Sequence, residues 1–141
     1  MISLEEFIER VLKLCADRGP RGFPRATRDR EILMKSMTLD LDEQATYAER
    51  DVNEQLKRWK REIAPALDVD HVTLRRWLVD YGYLERTRDG KQYRVGFPAK
   101  TVAFDVQIYN LDLRATVAAY IAEQARKAAE RKANRVRATS D

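Results

Sequence analysis

Residues 70–95, DHVTLRRWLVDYGYLERTRDGKQYRV, contain the signals that decide the fold. Asp70 can start a helix, because its side chain can accept backbone N–H bonds from the first helical turn. Four apolar residues share one helical face, at spacings of three, four and seven: Leu74, Trp77, Leu78 and Tyr81. Gly82 suits the left-handed position just past a helix end. The stretch therefore predicts a helix over residues 71–81.

A β-hairpin is predicted directly after this helix. Asp89-Gly90 is a strong hairpin-turn signal, because the tight primed turns need positive φ angles. Residues typical of strands flank the turn: Tyr83, Leu84, Thr87, Tyr93 and Val95. Basic residues crowd around it: Arg86, Arg88, Lys91 and Arg94. A helix, a glycine stop and a hairpin with a basic tip follow one another as in a winged helix, where one helix enters a nucleic-acid groove and the hairpin lies beside it.

Length and composition indicate one compact domain with extensions. The chain has 141 residues, of which 44% are hydrophobic and 35% are charged. No apolar run approaches the roughly 18 residues that a membrane span needs. The N-terminus shows no secretory signal, and the single cysteine, Cys15, cannot form an internal disulfide. These features predict a cytoplasmic protein without a membrane anchor, in which Cys15 is a buried structural residue and not a reactive thiol.

The positive charge is concentrated in the C-terminal tail. The net charge is +4, and residues 126–141 carry six basic and two acidic side chains. The tail therefore accounts for the whole net charge, and the rest of the chain is formally neutral. A nucleic-acid-binding surface in the folded part must then be a local basic patch.

The rest of the chain is also predicted to be mainly helical. Helices are expected over about residues 4–17, 28–37 and 48–64 and from residue 113 onward, with short strands at about 45–47 and 102–108. The helices at 48–64 and 71–81 form the two-helix arrangement of helix-turn-helix proteins. Seven residues are expected to carry the core: Val52, Leu56, Trp59, Leu74, Trp77, Leu78 and Tyr81.

The predicted fold class is mainly α with a small β-hairpin. Three segments follow from the pattern. Residues 1–22 form an N-terminal helical extension, and residues 23–97 form a winged-helix-like domain. Residues 98–141 form a C-terminal strand and a long helix with a basic tail.

Three segments carry a family resemblance. They are Phe23-Pro24-Arg25 with DREIL at 29–33, YAERDVNEQL at 47–56, and TLRRWLVDYGYLER at 73–86 with Asp89-Gly90 and Tyr93. Together they resemble a bacterial family, domain of unknown function 2087, over about residues 23–95. The resemblance implies a small winged-helix-like unit and a link to bacterial gene regulation, since such domains stand alone or follow a repressor domain of the arsenic-repressor type. It implies no known activity or ligand.

The candidate binding residues lie on the predicted helix and on the hairpin. Thr73, Arg75 and Arg76 come early in the helix, off its apolar face. An arginine there can bind O6 and N7 of guanine with two hydrogen bonds, or bind a phosphate. Arg88 and Lys91 at the hairpin tip are placed for phosphate contacts. The alternative for the arginines is pairing with nearby carboxylates, and the alternative for the hairpin tip is protection of an edge strand.

No catalytic, metal or cofactor site is predicted. His71 with Asp68 and Asp70 is a poor set of metal ligands, and helix capping is the better interpretation. No Ser/His/Asp or Cys/His set has local support, and the sequence contains no glycine-rich phosphate loop. We therefore expect no enzyme activity, no bound metal and no cofactor.

The long C-terminal helix has two interpretations. Its apolar stripe either covers the core or pairs with a second subunit: Leu113, Val117, Tyr120 and Ile121. A homodimer is favoured, because the helix continues well past what one small core can cover. A dimer would also place two recognition helices about one DNA turn apart. The basic end of the helix either grips phosphates or acts as a solubilising helix end.

Together these features predict a bacterial DNA-binding protein, a transcriptional regulator that binds double-stranded DNA through a recognition helix and a basic hairpin. The alternative is a protein–protein interaction module on a winged-helix scaffold without nucleic-acid binding. The neutral charge of residues 1–125 favours that alternative. RNA binding is a third interpretation, which the sequence leaves open.

Overall fold

The computed structural model describes residues 1–17, 22–98 and 102–139. These residues form α1 (Leu4–Val11), α2 (Thr27–Thr38), β1 (Tyr47–Ala48), α3 (Glu49–Glu62), α4 (His71–Asp80), β2 (Leu84–Arg86), β3 (Gln92–Val95) and α5 (Leu113–Thr139). A π-helical turn, Leu12–Asp17, continues α1, and a 3-10 helix, Val106–Asn110, precedes α5. The prediction of a mainly helical fold with a small hairpin is confirmed. Across these residues, no helix combines the length and the apolar character needed to cross a membrane.

Side-chain caps explain where three of the helices begin. Ser3, Asp70 and Asp112 each accept the backbone N–H of the residue three positions later, at 3.1, 2.8 and 3.1 Å respectively. The first turn of a helix leaves these donors without a partner in the helix, so each cap satisfies one of them. The capping role predicted for Asp70 is confirmed.

One hydrophobic core includes buried residues from all five helices described. The core positions predicted in α3 and in the first part of α4 are buried: Val52, Leu56, Trp59, Leu74 and Leu78. Trp59 also donates its indole N–H to the Ser36 hydroxyl at 3.1 Å, which satisfies its polar atom inside the core.

Two predicted core residues differ from the others. Trp77 is only half-buried, and its ring packs on Phe23 with centroids 4.1 Å apart. The core prediction for Tyr81 is wrong, since 42% of this residue is exposed. Tyr81 directly follows the last residue of α4 and lies on the same side as the half-buried Trp77, at the border of the core, where its ring lies 5.6 Å from the Arg30 guanidinium.

The three strands form an antiparallel sheet in the order β1-β3-β2. Tyr93 lies on the central strand, opposite Tyr47 on one side and Arg86 on the other. Gly90 has a φ of +74° at the hairpin turn, and its N–H donates to the Thr87 carbonyl at 2.8 Å. Glycine adopts such positive φ angles without steric cost, which explains the turn predicted at this position.

The strand predicted over residues 102–108 does not form. Phe104 makes one isolated parallel bridge with Ile2, and Asp105 then caps the 3-10 helix by accepting the Gln107 N–H at 2.9 Å. Among the described residues this segment pairs only with the extended N-terminus, and α1 begins at Leu4, so the N-terminus offers too few residues for a ladder. The alternating apolar pattern therefore ends in a helical turn, with Val106 outside and Ile108 inside.

A buried lysine attaches this C-terminal segment to α2. Lys35 is 5% exposed, and its ammonium lies 4.3 Å from the ring centroid of Tyr109, 5.7 Å from that of Phe104 and 6.0 Å from that of Phe97. Aromatic faces attract cations, which compensates part of the cost of burying the charge.

Candidate nucleic-acid interface

α4 presents one face to the core and the opposite face to solvent. Leu74 and Leu78 are buried, while Arg76, two residues from each, is exposed. Two residues correspond to a rotation of about 200° on a helix, so Arg76 points about 160° away from both leucines. Asp70 fixes the start of this helix, and the Thr73 N–H that it accepts lowers the pKa of its carboxyl. α4 therefore begins with a charged cap and displays Arg76 outward.

Arg75 lies beside the core instead of pointing outward. Its side chain is 16% exposed, donates a hydrogen bond to Asn53, and pairs with Glu49 at 3.4 Å. Its guanidinium also lies 5.9 Å from the ring centroid of Tyr93. These contacts join α4 to α3 and β3, so Arg75 holds α4 against α3 and the hairpin.

The two remaining candidates on α4 differ in exposure. Thr73 is half-buried in the first turn, and Arg76 is exposed. Within the described residues, Arg76 makes no hydrogen bond or ion pair. Its five N–H donors are consequently available to an external acceptor.

The hairpin tip carries Arg88 and Lys91 on either side of Asp89. Both basic residues are exposed, and neither side chain has an ion-pair partner in the described ranges. Asp89 accepts the Thr87 hydroxyl at 2.6 Å and the Lys91 backbone N–H at 3.0 Å, and these bonds lower its pKa. The tip therefore keeps one negative charge between two positive ones at neutral pH.

A polar cleft of about 280 Å³ lies between α4 and the hairpin. Three guanidinium groups line it, those of Arg75, Arg76 and Arg86, together with the carboxylates of Glu49 and Asp80. Arg86 lies 5.7 Å from the Tyr93 ring centroid and donates to the carbonyl of Gly90 at 3.0 Å. The exposed face of α4, this cleft and the hairpin tip are together termed the basic surface, and their basic residues are Arg75, Arg76, Arg86, Arg88 and Lys91.

The structure places two of the five predicted residues, Arg75 and Arg76, in the lining of this cleft, with Thr73 in the helical turn before them and Arg88 and Lys91 at the hairpin tip. It adds contacts that the sequence did not indicate, because Glu49, Asn53 and Tyr93 lie far from Arg75 along the chain. One signal for Arg75 was present. Arg75 comes directly after Leu74 and three residues before Leu78, and this spacing places it at the border of the apolar face.

Other chemistry has little support in the described part of the chain. It contains no group of three or more His, Cys, Asp or Glu residues that could hold a metal ion. Cys15 is 3% exposed, and burial raises the pKa of its thiol to about 12. The thiolate is the reactive form, so burial disfavours reaction at this cysteine, and the predicted burial of Cys15 is confirmed.

Comparisons with known proteins give one match. A search of curated proteins and a search of solved structures found no match to this chain. The model of a family described as an uncharacterized protein conserved in bacteria (DUF2087) matches residues 21–95, which is more than half of the chain. The matched range includes α2 to β3, and with them the whole basic surface. The chain therefore belongs to this bacterial family, DUF2087.

Proposed function

We propose that this protein binds double-stranded DNA and regulates transcription in the bacterial cytoplasm, as a binding module and not as an enzyme. The observation that carries the proposal is the basic surface of α4 and the hairpin. Arg76, Arg88 and Lys91 are exposed there and make no ion pair with any described residue. Phosphates neutralise such side chains on binding and release counterions, which is the main source of DNA affinity.

The order of the elements supports a winged-helix interpretation. A winged helix has a helix, a short strand, two further helices and a hairpin, and its first strand pairs with its last. The elements α2, β1, α3, α4, β2 and β3 have this order, and β1 pairs with β3. In such a scaffold, α4 is the helix that enters the major groove.

Each residue of the surface then has a role. Arg76 reads a base edge or a phosphate in the groove, and Arg88 and Lys91 contact the phosphates beside it. Thr73 adds a contact near the start of α4. Arg75 positions the helix through Glu49 and Asn53, so its loss should affect stability as well as binding.

The test is fluorescence anisotropy with a random-sequence DNA duplex over a series of salt concentrations. We expect the wild type to bind with a Kd in about the micromolar range at low salt, and the affinity to fall steeply as salt rises. In a plot of the logarithm of the binding constant against the logarithm of the salt concentration, each phosphate contact contributes about 0.9 to the slope. The variant Arg76→Ala/Arg88→Ala/Lys91→Ala should therefore reduce the magnitude of this slope by about two to three.

A charge-matched control separates the effect of the basic surface on DNA affinity from the effect of the total charge. Lys13→Ala/Arg25→Ala/Arg61→Ala removes three positive charges from exposed positions outside the basic surface. It should bind almost as well as the wild type. An equal loss in both triple variants would refute the assignment of the surface, and no binding by the wild type at low salt would refute the function.

One observation favours the second candidate function, a protein-interaction module. Three exposed apolar residues border a depression of about 420 Å³: Phe97 (62% exposed), Val106 (74%) and Tyr109 (42%). Exposed apolar clusters are common at protein–protein interfaces. If the wild type does not bind DNA, substitutions at this depression become the next experiment.

A further inference from the structure

α5 extends far beyond the core that it covers. Its 27 residues correspond to a length of about 40 Å at 1.5 Å per residue. Only Leu113 and Val117, in its first two turns, are fully buried, and every residue from Ala125 to Thr139 is exposed. Most helical stability in proteins comes from packing of an apolar face, so a projecting helix of this length has an unused face.

That face begins in an open groove between α3 and the first half of α5. The groove has a volume of about 730 Å³, and its apolar wall consists of Ala115, Ala118, Ile121 and Ala122. Ile121 is 45% exposed. The same face continues at spacings of three, four and seven through Ala125 and Ala129 to Val136, which is 60% exposed. The exposed helix and the groove therefore present one apolar strip, which Lys132 borders between Ala129 and Val136.

The two ends of this strip differ in charge. Five carboxylates line the groove and the adjoining depression on α3: Asp40, Asp51, Glu54, Glu62 and Asp112. Four basic side chains lie beside them, since Arg58 and Arg114 line the same surfaces and Arg50 and Lys57 pair with Asp51 and Glu54. Residues 131–139 contain four basic side chains and no acidic one. A second copy running in the opposite direction would place its basic end beside these carboxylates, whereas a parallel copy would place the two basic ends together.

We propose that the protein forms a homodimer in which the α5 helices pair in antiparallel orientation, and that the Val136 end of each helix occupies the groove of the other copy. The pair buries Ile121 and Val136, and the alanines allow the two backbones to approach closely. The macrodipoles of antiparallel helices also attract each other. This proposal does not depend on DNA binding and is tested without DNA.

The register follows from the apolar strip. If the two-fold axis crosses the strip midway between Ala125 and Ala129, Ala125 of one copy faces Ala129 of the other, and Ala118 faces Val136. Arg135 of each copy then lies level with Ala119 of the other, beside the groove that Glu62 lines. The interface consequently weakens as salt rises, because its ion pairs are exposed at the rim.

Light scattering and sedimentation equilibrium measure the dimer directly. We expect a concentration-dependent mass that reaches twice 16.5 kDa. Ala129→Glu places a charge in the interface and should raise the dimer dissociation constant by at least about a hundredfold. Asn134→Glu makes the same change of charge at a position about 140° around the helix from Ala129, and it should leave the dimer dissociation constant almost unchanged. A monomer at every concentration up to about 1 mM, or equal effects of both substitutions, would overturn the proposal.

Disulfide trapping tests the orientation. Cys15 is buried and unreactive, so an introduced cysteine is the reactive thiol of each variant. In antiparallel pairing, a mixture of Ala118→Cys and Val136→Cys proteins should form a crosslinked heterodimer under mild oxidation, while Ala118→Cys alone should stay uncrosslinked. Efficient crosslinking of Ala118→Cys alone would show parallel pairing and refute the antiparallel dimer.

Discussion

At the residue scale, two neighbouring arginines have different roles because of their positions around α4. Arg75 borders the apolar face, and its guanidinium is held by Glu49, Asn53 and the Tyr93 ring. Arg76 points away from the core and has no such contacts among the described residues. The same side chain is therefore a positioning group at one residue and a candidate DNA contact at the next.

Gly96 provides a stability test at the same scale. A Cβ atom at this position would lie 2.3 Å from the Gly82 carbonyl oxygen, which is closer than real contacts allow. Gly96→Ala should therefore lower the free energy of unfolding by about 1–3 kcal/mol or more, since backbone must move. Urea denaturation followed by tryptophan fluorescence measures this change.

Gly22 is the matched control for that substitution. A Cβ atom there meets nothing within 4 Å, and φ at Gly22 is not positive. Gly22→Ala should leave stability unchanged or raise it by about 0.4–1 kcal/mol. If both alanine variants unfold at the same urea concentration, the close approach between Gly82 and Gly96 has no energetic importance.

At the element scale, α4 and the hairpin depend on short local signals. Asp70 caps the helix, Gly82 follows it with a φ of +83°, and Gly90 turns the hairpin. These signals act over a few residues, so the sequence predicted both elements with almost the correct bounds. The position of α4 relative to the hairpin instead depends on contacts of Arg75 and Tyr93 with α3.

The Asp70 cap predicts a pH dependence of stability. The Thr73 N–H lowers the pKa of this carboxyl below its ordinary value of 3.8, so the ionised cap stabilises the folded state. Its contribution is complete well above pH 3.8 and is lost as the pH falls through the lower pKa of the folded state. Asp70→Ala should lower the Tm by a few degrees at pH 7, and the difference from wild type should shrink in acid.

Asp68→Ala is the control for this pH series. Asp68 is exposed two positions before the cap and makes no hydrogen bond with the described residues. Its removal should change the Tm little at any pH. A difference between Asp70→Ala and wild type that stays constant from neutral to acid pH would contradict a role for the ionised cap.

At the scale of the whole molecule, the segments before and after the family-matched range share its core. Phe7 of α1 is fully buried and packs edge-to-face on Phe104, with ring centroids 6.2 Å apart. Arg10 and Arg28 pair with Asp29 and Glu6, and these ion pairs join α1 to α2. The N-terminal helix and the start of the C-terminal segment are thus parts of one packed unit.

Phe7→Ala tests this unity. The loss of a buried aromatic ring should lower the free energy of unfolding by about 3–5 kcal/mol. The unfolding transition measured by the fluorescence of Trp59 and Trp77 should then move to a lower urea concentration. The transition measured by circular dichroism, which reports on all helices, should move with it. Val106→Ala is the control, because this exposed residue should contribute less than about 0.5 kcal/mol. A fluorescence transition that does not move would show that α1 unfolds separately.

The sequence by itself determined the helices, the hairpin and the family. Apolar spacing, capping residues and turn glycines act locally, so they can be recognised without knowing what lies across the core. It also indicated a basic hairpin tip and an exposed arginine on α4.

The tertiary structure decided the rest, because the outcome depended on partners distant in the chain. It placed Arg75 against Glu49 and Asn53, left Tyr81 outside the core, and replaced the strand at 102–108 by a helical turn, since the N-terminus offered it only one bridge. A periodic pattern shows which face is apolar, but only the packed chain shows what that face meets.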